Sequence, residues 1–149
     1  MVEDDAYYMR LAKKAAECST CRKKQLGVVL VTANGSTLIG YNGPPSYLGE
    51  CSSPCPRADS HSGTDLHLCP AIHAERLPIL MSARLGLCTL HTKLYSYMGV
   101  PCKDCLLELI TAGVYEIICI NETYYDELSK KILKAWIDKG GIFRVMKVE

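Results

Sequence analysis

Apolar positions recur at helical spacing between Ala6 and Glu17, where Tyr8, Leu11, Ala12, Ala15 and Ala16 share one face. That spacing predicts an amphipathic helix. Gln25 to Thr32 is a short, β-branched, apolar run and predicts a buried strand. Asn34-Gly35 is a turn signal, and Thr37 to Tyr41 follows as a second strand, closing an antiparallel hairpin. Periodicity then disappears from Gly43 to about Cys69, a stretch broken by Pro44, Pro45, Gly49, Pro54, Pro56 and Gly63. A loop of this length inside a small domain is usually functional or is tied down by something other than a core.

Order resumes with a predicted helix from about Pro70 to Leu85, in which Pro78 should produce a kink. Lys93 to Tyr97 predicts a strand, Lys103 to Ala112 a helix closed by Gly113, and Glu116 to Ile120 another buried strand. Glu127 to Lys139 places Leu128, Ile132, Leu133, Trp136 and Ile137 on one face and ends at Gly140-Gly141. Ile142 to Val148 is the last strand. The order α-β-β-α-β-α-β-α-β predicts an α/β fold of three layers, α/β/α. Its mixed five-stranded sheet has an antiparallel first hairpin, a parallel second half and helices on both faces. No internal repeat or linker divides residues 1–149, which reads as a single domain.

Composition narrows the function. At 48% hydrophobic and 22% charged the chain can build a core. Its formal net charge of +1 gives no general attraction to nucleic acid or acidic membranes. No apolar run approaches the roughly 20 residues of a membrane span. The acidic start, with Glu3, Asp4 and Asp5, has no apolar signal segment, so a cytoplasmic, reducing setting is expected. Nine cysteines in such a setting point to metal more than to disulfides. Arg22-Lys23-Lys24, the one basic cluster, reads as a solvated turn.

Two cysteines have ligand spacing. Cys102 and Cys105, in Pro101-Cys102-Lys103-Asp104-Cys105, sit across a predicted helix start, so their sulfurs can converge on one ion. His73, in His73-Ala74-Glu75, can complete three protein ligands around zinc. Three ligands with a fourth position open to water is the catalytic zinc pattern. Glu75, two residues from His73, can lie beside the metal without ligating it and serve as general base and then general acid. Alone, H-x-E most often marks a surface helix, and C-x-x-C half a zinc ribbon or a redox pair. Together, as H-x-E and P-C-x-x-C, they are the signature of zinc deaminases of nucleobases.

With these motifs in place, the chain resembles the deoxycytidylate (dCMP) deaminase family of the cytidine deaminase superfamily. The resemblance is carried in order by Thr20 to Gly27 (TCRKKQLG), Gly40 to Gly43 (GYNG), Cys69 to Glu75 (CPAIHAE) and Pro101 to Cys105 (PCKDC). It implies that Asn42 binds the sugar or phosphate, that the Ala74 backbone N–H holds the base carbonyl, and that Tyr124, or Tyr125 one residue on, packs near the substrate. Gly40 and Gly43 could bring backbone N–H donors close to an anion. Arg84 falls where some relatives place an arginine near a nucleotide, and is equally readable as a solvated helix residue. The family usually continues H-A-E-x-N-A, whereas Arg76, Leu77 and Pro78 follow here. The metal ligands precede that departure, so it bears on the choice of nucleotide rather than on the reaction.

Cys21, Cys51, Cys55 and Cys69 are separate in sequence, but the long loop could gather them into a closed, structural zinc site, with His67 or His61 replacing one thiolate. Some members of the resembled family have cysteines in such places.

The expected function is zinc-dependent deamination of dCMP to dUMP and ammonia, in pyrimidine salvage and thymidylate supply. Alternatives are deamination of another free nucleotide or nucleoside, deamination of nucleic acid, or a catalytically silent nucleotide-binding domain. A nucleic-acid substrate would call for a basic groove with stacking aromatics, and only 7% of residues are aromatic. By resemblance the partners would be a cytosine nucleotide, dCTP or dTTP as effectors with magnesium on the triphosphate, and further copies of the chain in a hexamer or other even assembly.

Overall fold

The computed structural model describes residues 4–149; Met1 to Glu3, part of the acidic start, lie outside that range. Helix α1 (Asp5–Ala16) begins where the Asp4 carboxylate accepts from the Ala6 amide at 2.9 Å, satisfying one of the unpaired first-turn donors. It buries Tyr8, Met9, Ala12, Ala15 and Ala16. Met9 thus takes a place in the buried face that the helical pattern assigns to Leu11, which is only half-buried.

Strands β1 (Gly27–Val31) and β2 (Thr37–Tyr41) form the expected hairpin, in register from Gly27 opposite Tyr41 to Val31 opposite Thr37. Gly35 turns the chain with φ 89°, a conformation that favours glycine. β3 (Thr92–Ser96), β4 (Val114–Cys119) and β5 (Ile142–Val145) complete a five-stranded sheet of order β2-β1-β3-β4-β5. β1 pairs antiparallel with both neighbours, and β3, β4 and β5 run parallel. The connections of the parallel half are α3 (Lys103–Thr111) and α4 (Glu127–Asp138).

All five residues of β1 are buried, because the strand faces a core on each side. Val29 and Val31 point to α1, joined by Tyr95 and Ile118. Val28 and Leu30 point the other way, with Leu94, Ile117 and Cys119, and meet Ala74, Leu106, Leu109 and Leu133. One helix therefore covers one face of the sheet, and the remaining helices cover the face that carries the candidate chemistry.

Helix α2 (Arg76–Leu85) starts later than the expected Pro70. Ile72 exchanges backbone hydrogen bonds with Gly43, at 2.8 and 3.2 Å, which holds the chain around Ile72 against the residue just beyond β2 and leaves Ala74 and Glu75 to form a turn before the helix. Pro78 is then the third residue of the helix. Its missing N–H is among those with no intrahelical acceptor in any helix, so the expected kink has no cause. The segment from Gly43 to Cys69 contains only short 3-10 turns at Ser46–Leu48 and Leu66–Leu68. Polar ties organise it. The Lys23 ammonium donates to the carbonyls of Arg57, at 2.8 Å, and Ser60; Arg57 Nε donates to Thr64 O at 2.9 Å; and Ser60 Oγ donates to Asp65 at 2.8 Å.

Candidate metal centre and active site

His73, Ala74 and Glu75 form the turn that leads into α2, and this turn lies against β2. Gly40 makes the fit possible: a Cβ there would collide with the Ala74 carbonyl oxygen and the Pro78 ring. Across the sheet ends, Cys102 is the N-cap of α3 and Cys105 lies one turn in, so both sulfurs emerge on one side of the helix start. Asp126 ties this start to the next helix. One carboxylate oxygen caps α4 by accepting from Ser129 N at 2.6 Å, and the other accepts from Lys103 N at 3.2 Å.

The result is a compact donor set. His73 Nδ1 lies 3.3 Å from Cys105 Sγ and 3.7 Å from Cys102 Sγ. Tetrahedral zinc with bonds of about 2.0–2.3 Å sets its ligand atoms roughly 3.5 Å apart, so the two sulfurs and one nitrogen fit that ion. Among the described residues this is the one group of three or more His, Cys, Asp or Glu whose ligand atoms all lie within 4.8 Å of one another. Hydrogen bonding from Cys105 and His73 outweighs burial at Cys102 and pulls its thiol down to about 4, while the neighbouring Cys102 thiolate, with burial, pushes the Cys105 thiol up. The pair thus holds one thiolate in place. His73 is raised, chiefly by its hydrogen bond to Cys102.

Glu75 is 4% exposed, and burial pushes its carboxyl up against the smaller effects of its own backbone N–H and the nearby imidazole. It is not in the three-residue donor set, but it lines the same cavity of about 550 Å³ as His73 and Cys102. Asn42, Tyr124 and Tyr125 are in that wall as well. Asn42 is buried, and its amide is heavily engaged: Oδ1 accepts from Ser19 Oγ at 2.7 Å and Leu26 N at 2.8 Å, and Nδ2 donates to Lys24 O at 2.7 Å. Tyr124 donates its hydroxyl to Glu122 at 2.7 Å. The Ala74 amide has no hydrogen-bond acceptor among the described residues. Gly40 and Gly43 serve close packing, against Ala74 and Thr20, rather than lining the cavity. Arg84 is exposed in the last turn of α2, away from the cavity wall.

The four loop-associated cysteines share a neighbourhood without closing to ligand spacing. Burial pushes the buried Cys51 thiol up, and the nearby Cys55, Cys21 and Cys69 sulfurs push it further, against a backbone hydrogen bond from Arg22. Cys55 Sγ accepts from Arg57 N at 3.4 Å. His61 and His67 are exposed and are not among the groups acting on Cys51. Arg22, Lys23 and Lys24 are exposed around a bend, as a solvated turn requires, and Lys23 and Lys24 also line the cavity, as does Arg57 from the long loop.

The family model described as the cytidine and deoxycytidylate deaminase zinc-binding region matches residues 2–121. The deoxycytidylate deaminase of Mycobacterium phage D29 is 30% identical over 128 residues, covering 80% of this chain and 95% of the phage protein. The chain belongs to the deoxycytidylate deaminase family. The deoxycytidylate deaminase of Saccharomyces cerevisiae is 34% identical over 131 residues, 87% of this chain. The chain spans about two fifths of the length of that relative and of the one from Schizosaccharomyces pombe. The fold is shared with the dCMP deaminase of cyanophage S-TIM5 solved in complex with dCMP and dUMP, with a TM-score of 0.72, 24% identity and 94% of each chain covered. In this deaminase family the zinc-binding motif is what the match covers, and His73, Cys102 and Cys105 lie inside it. No helix of the described residues is long and apolar enough to cross a membrane.

Proposed function

We propose that the chain deaminates dCMP hydrolytically to dUMP and ammonia. The observation that carries the reading is the His73–Cys102–Cys105 donor set sharing one cavity with a buried Glu75 that lies outside it. The names of the relatives support the mononucleotide as substrate. His73, Cys102 and Cys105 would hold zinc, and zinc bound there supplies a water activated near neutral pH.

The chain's own residues supply the rest. The Ala74 amide, free of other acceptors, offers its N–H to the base carbonyl. Glu75 takes one proton from the attacking water and delivers it to N3 of the ring, then takes the second from the new hydroxyl at C4 and passes it to the departing amine. Water and dCMP thus yield dUMP and ammonia in balance. Tyr124 closes part of the wall, and the last amide hydrogen of Asn42 is available to a sugar oxygen.

Cys21, Cys51, Cys55 and Cys69 would hold a second, structural zinc, supported by their shared neighbourhood and by backbone N–H groups of Arg22 and Arg57 that point at Cys51 and Cys55. Control by dCTP and dTTP, with magnesium, and an even-numbered assembly are part of the same reading and rest on family resemblance. The deciding experiment is ammonia release by zinc-loaded protein from dCMP and from single-stranded oligodeoxycytidylate. Turnover of dCMP is expected; turnover of the oligonucleotide alone would replace this reading with nucleic-acid deamination.

A further inference from the structure

A mononucleotide brings a phosphate dianion into the cavity, and the backbone amides of Gly40, Asn42 and Gly43 are already engaged. Gly40 pairs with Val28 in the sheet, the Asn42 backbone N–H donates to Leu26 O at 3.4 Å, and the Gly43 N–H donates to Ile72 O. The Asn42 side chain holds the 19–26 turn through three hydrogen bonds. The anion must be met by other groups.

Three cationic side chains line the cavity, Lys23, Lys24 and Arg57, and Glu75 is the sole carboxylate among the lining residues. Lys23 is engaged by the carbonyls of Arg57 and Ser60. Arg57 uses Nε on Thr64 O, which leaves its two terminal nitrogens without a partner among the described residues. The Lys24 ammonium is likewise without a hydrogen bond or ion pair there. Two unpartnered cations from separate segments therefore face one cavity. Asn42, gripping the Lys24 carbonyl, fixes the first segment, and Lys23, gripping the loop carbonyls, fixes the second.

We infer that Lys24 and Arg57 clamp the 5′-phosphate of the substrate, with Lys23 as a positioning residue for Arg57. This inference rests on the mononucleotide reading above. The planar fork of Arg57 can take two phosphate oxygens at once, whereas Lys24 supplies a point charge. A phosphate anchored away from the reacting carbon also orients the base, so the clamp contributes to kcat as well as to KM.

The test is steady-state kinetics of zinc-loaded protein on dCMP and deoxycytidine, for the wild type, Lys24→Gln, Arg57→Gln, Arg57→Lys and Lys23→Met. Charge-assisted hydrogen bonds set the scale: the dCMP to deoxycytidine ratio of kcat/KM should fall about 10- to 100-fold in either glutamine variant. Arg57→Lys should recover part of that ratio, which a merely structural role for Arg57 would not produce. Lys23→Met should lower the ratio less than Arg57→Gln. Inorganic phosphate should compete with dCMP in the wild type and lose its effect in the glutamine variants. Ratios unchanged within about twofold in both glutamine variants, with zinc content intact, overturn the clamp. Should the wild type fail to turn over dCMP, the functional reading falls, and calorimetry with dUMP against deoxyuridine decides the clamp separately. Tighter binding of dUMP that Lys24→Gln and Arg57→Gln abolish sustains it, and equal binding of the two ligands removes it.

Discussion

The Tyr95 hydroxyl donates to Asp5 Oδ1 at 2.7 Å, joining the first turn of α1 to the middle of β3. Arg144 of β5 donates to the second Asp5 oxygen at 2.8 Å and to Glu116 at 2.6 Å, and Lys93 pairs with Glu116 at 3.2 Å. Burial works to raise the Asp5 carboxyl, but Tyr95 and Arg144 together hold it below its ordinary value. A carboxyl lowered in the folded state adds stability that is present above its unfolded pKa and is lost as pH falls through the folded one. Asp5→Asn should therefore cost about 1.5 kcal/mol at pH 7, the scale of a hydrogen bond to a charged group. That deficit should narrow below about pH 4, where an unfolded Asp is protonated. Urea unfolding of both proteins at pH 7, 4 and 3 checks it; a deficit independent of pH would show that Asp5 acts by shape alone.

Glu75 should serve chemistry without holding the metal. Glu75→Gln is expected to retain zinc near the wild-type level and to lose about 100- to 10,000-fold in turnover of dCMP. Metal analysis beside single-turnover assays makes the comparison. A variant stripped of zinc would make Glu75 a ligand.

Asn42 offers a sharper distinction between support and substrate contact. Asn42→Ala leaves the Leu26 amide and the Lys24 carbonyl without their side-chain partner, which should destabilise the fold by about 2–4 kcal/mol. Urea titration without ligand reads this directly. Unchanged stability with lost activity would assign the residue to the substrate instead.

The cysteine-bearing loop should hold metal independently of the catalytic site. Metal analysis is expected to find about two zinc ions per chain, with Cys51→Ser losing one of them and making the 43–69 segment more accessible to protease. One zinc per chain in a fully active wild type would dispose of the second site.

The sheet and the metal site were legible in the sequence for a physical reason. β1 is apolar at every position because both its faces are buried, and the helix over 103–111 places Cys102 and Cys105 together by its own geometry. The start of α2 was not legible, since Pro70 is a good first helical residue. The pairing of Ile72 with Gly43 on a distant part of the chain overrides that local preference. The orientation of Lys23 and Lys24 was hidden for a similar reason. Which of the three adjacent, exposed cations stand at the cavity depends on distant contacts, among them Asn42, 18 residues away, gripping the Lys24 carbonyl. Arg57 carried no local signal at all, because its loop has no periodicity and is placed by polar ties from outside.

The late start of α2 has a consequence for how the site could be re-engineered. His73 and Glu75 are registered to the edge strand, through the Ile72–Gly43 bridge and the seat that Gly40 leaves for Ala74, rather than to the helix that follows. The outward positions of that helix, such as Leu80, Arg84 and Leu85, are exposed and could be recoded without retuning the metal. Position 40 has no such latitude: a single methyl group there would push the histidine's turn off the sheet and take one ligand out of reach of the two cysteines.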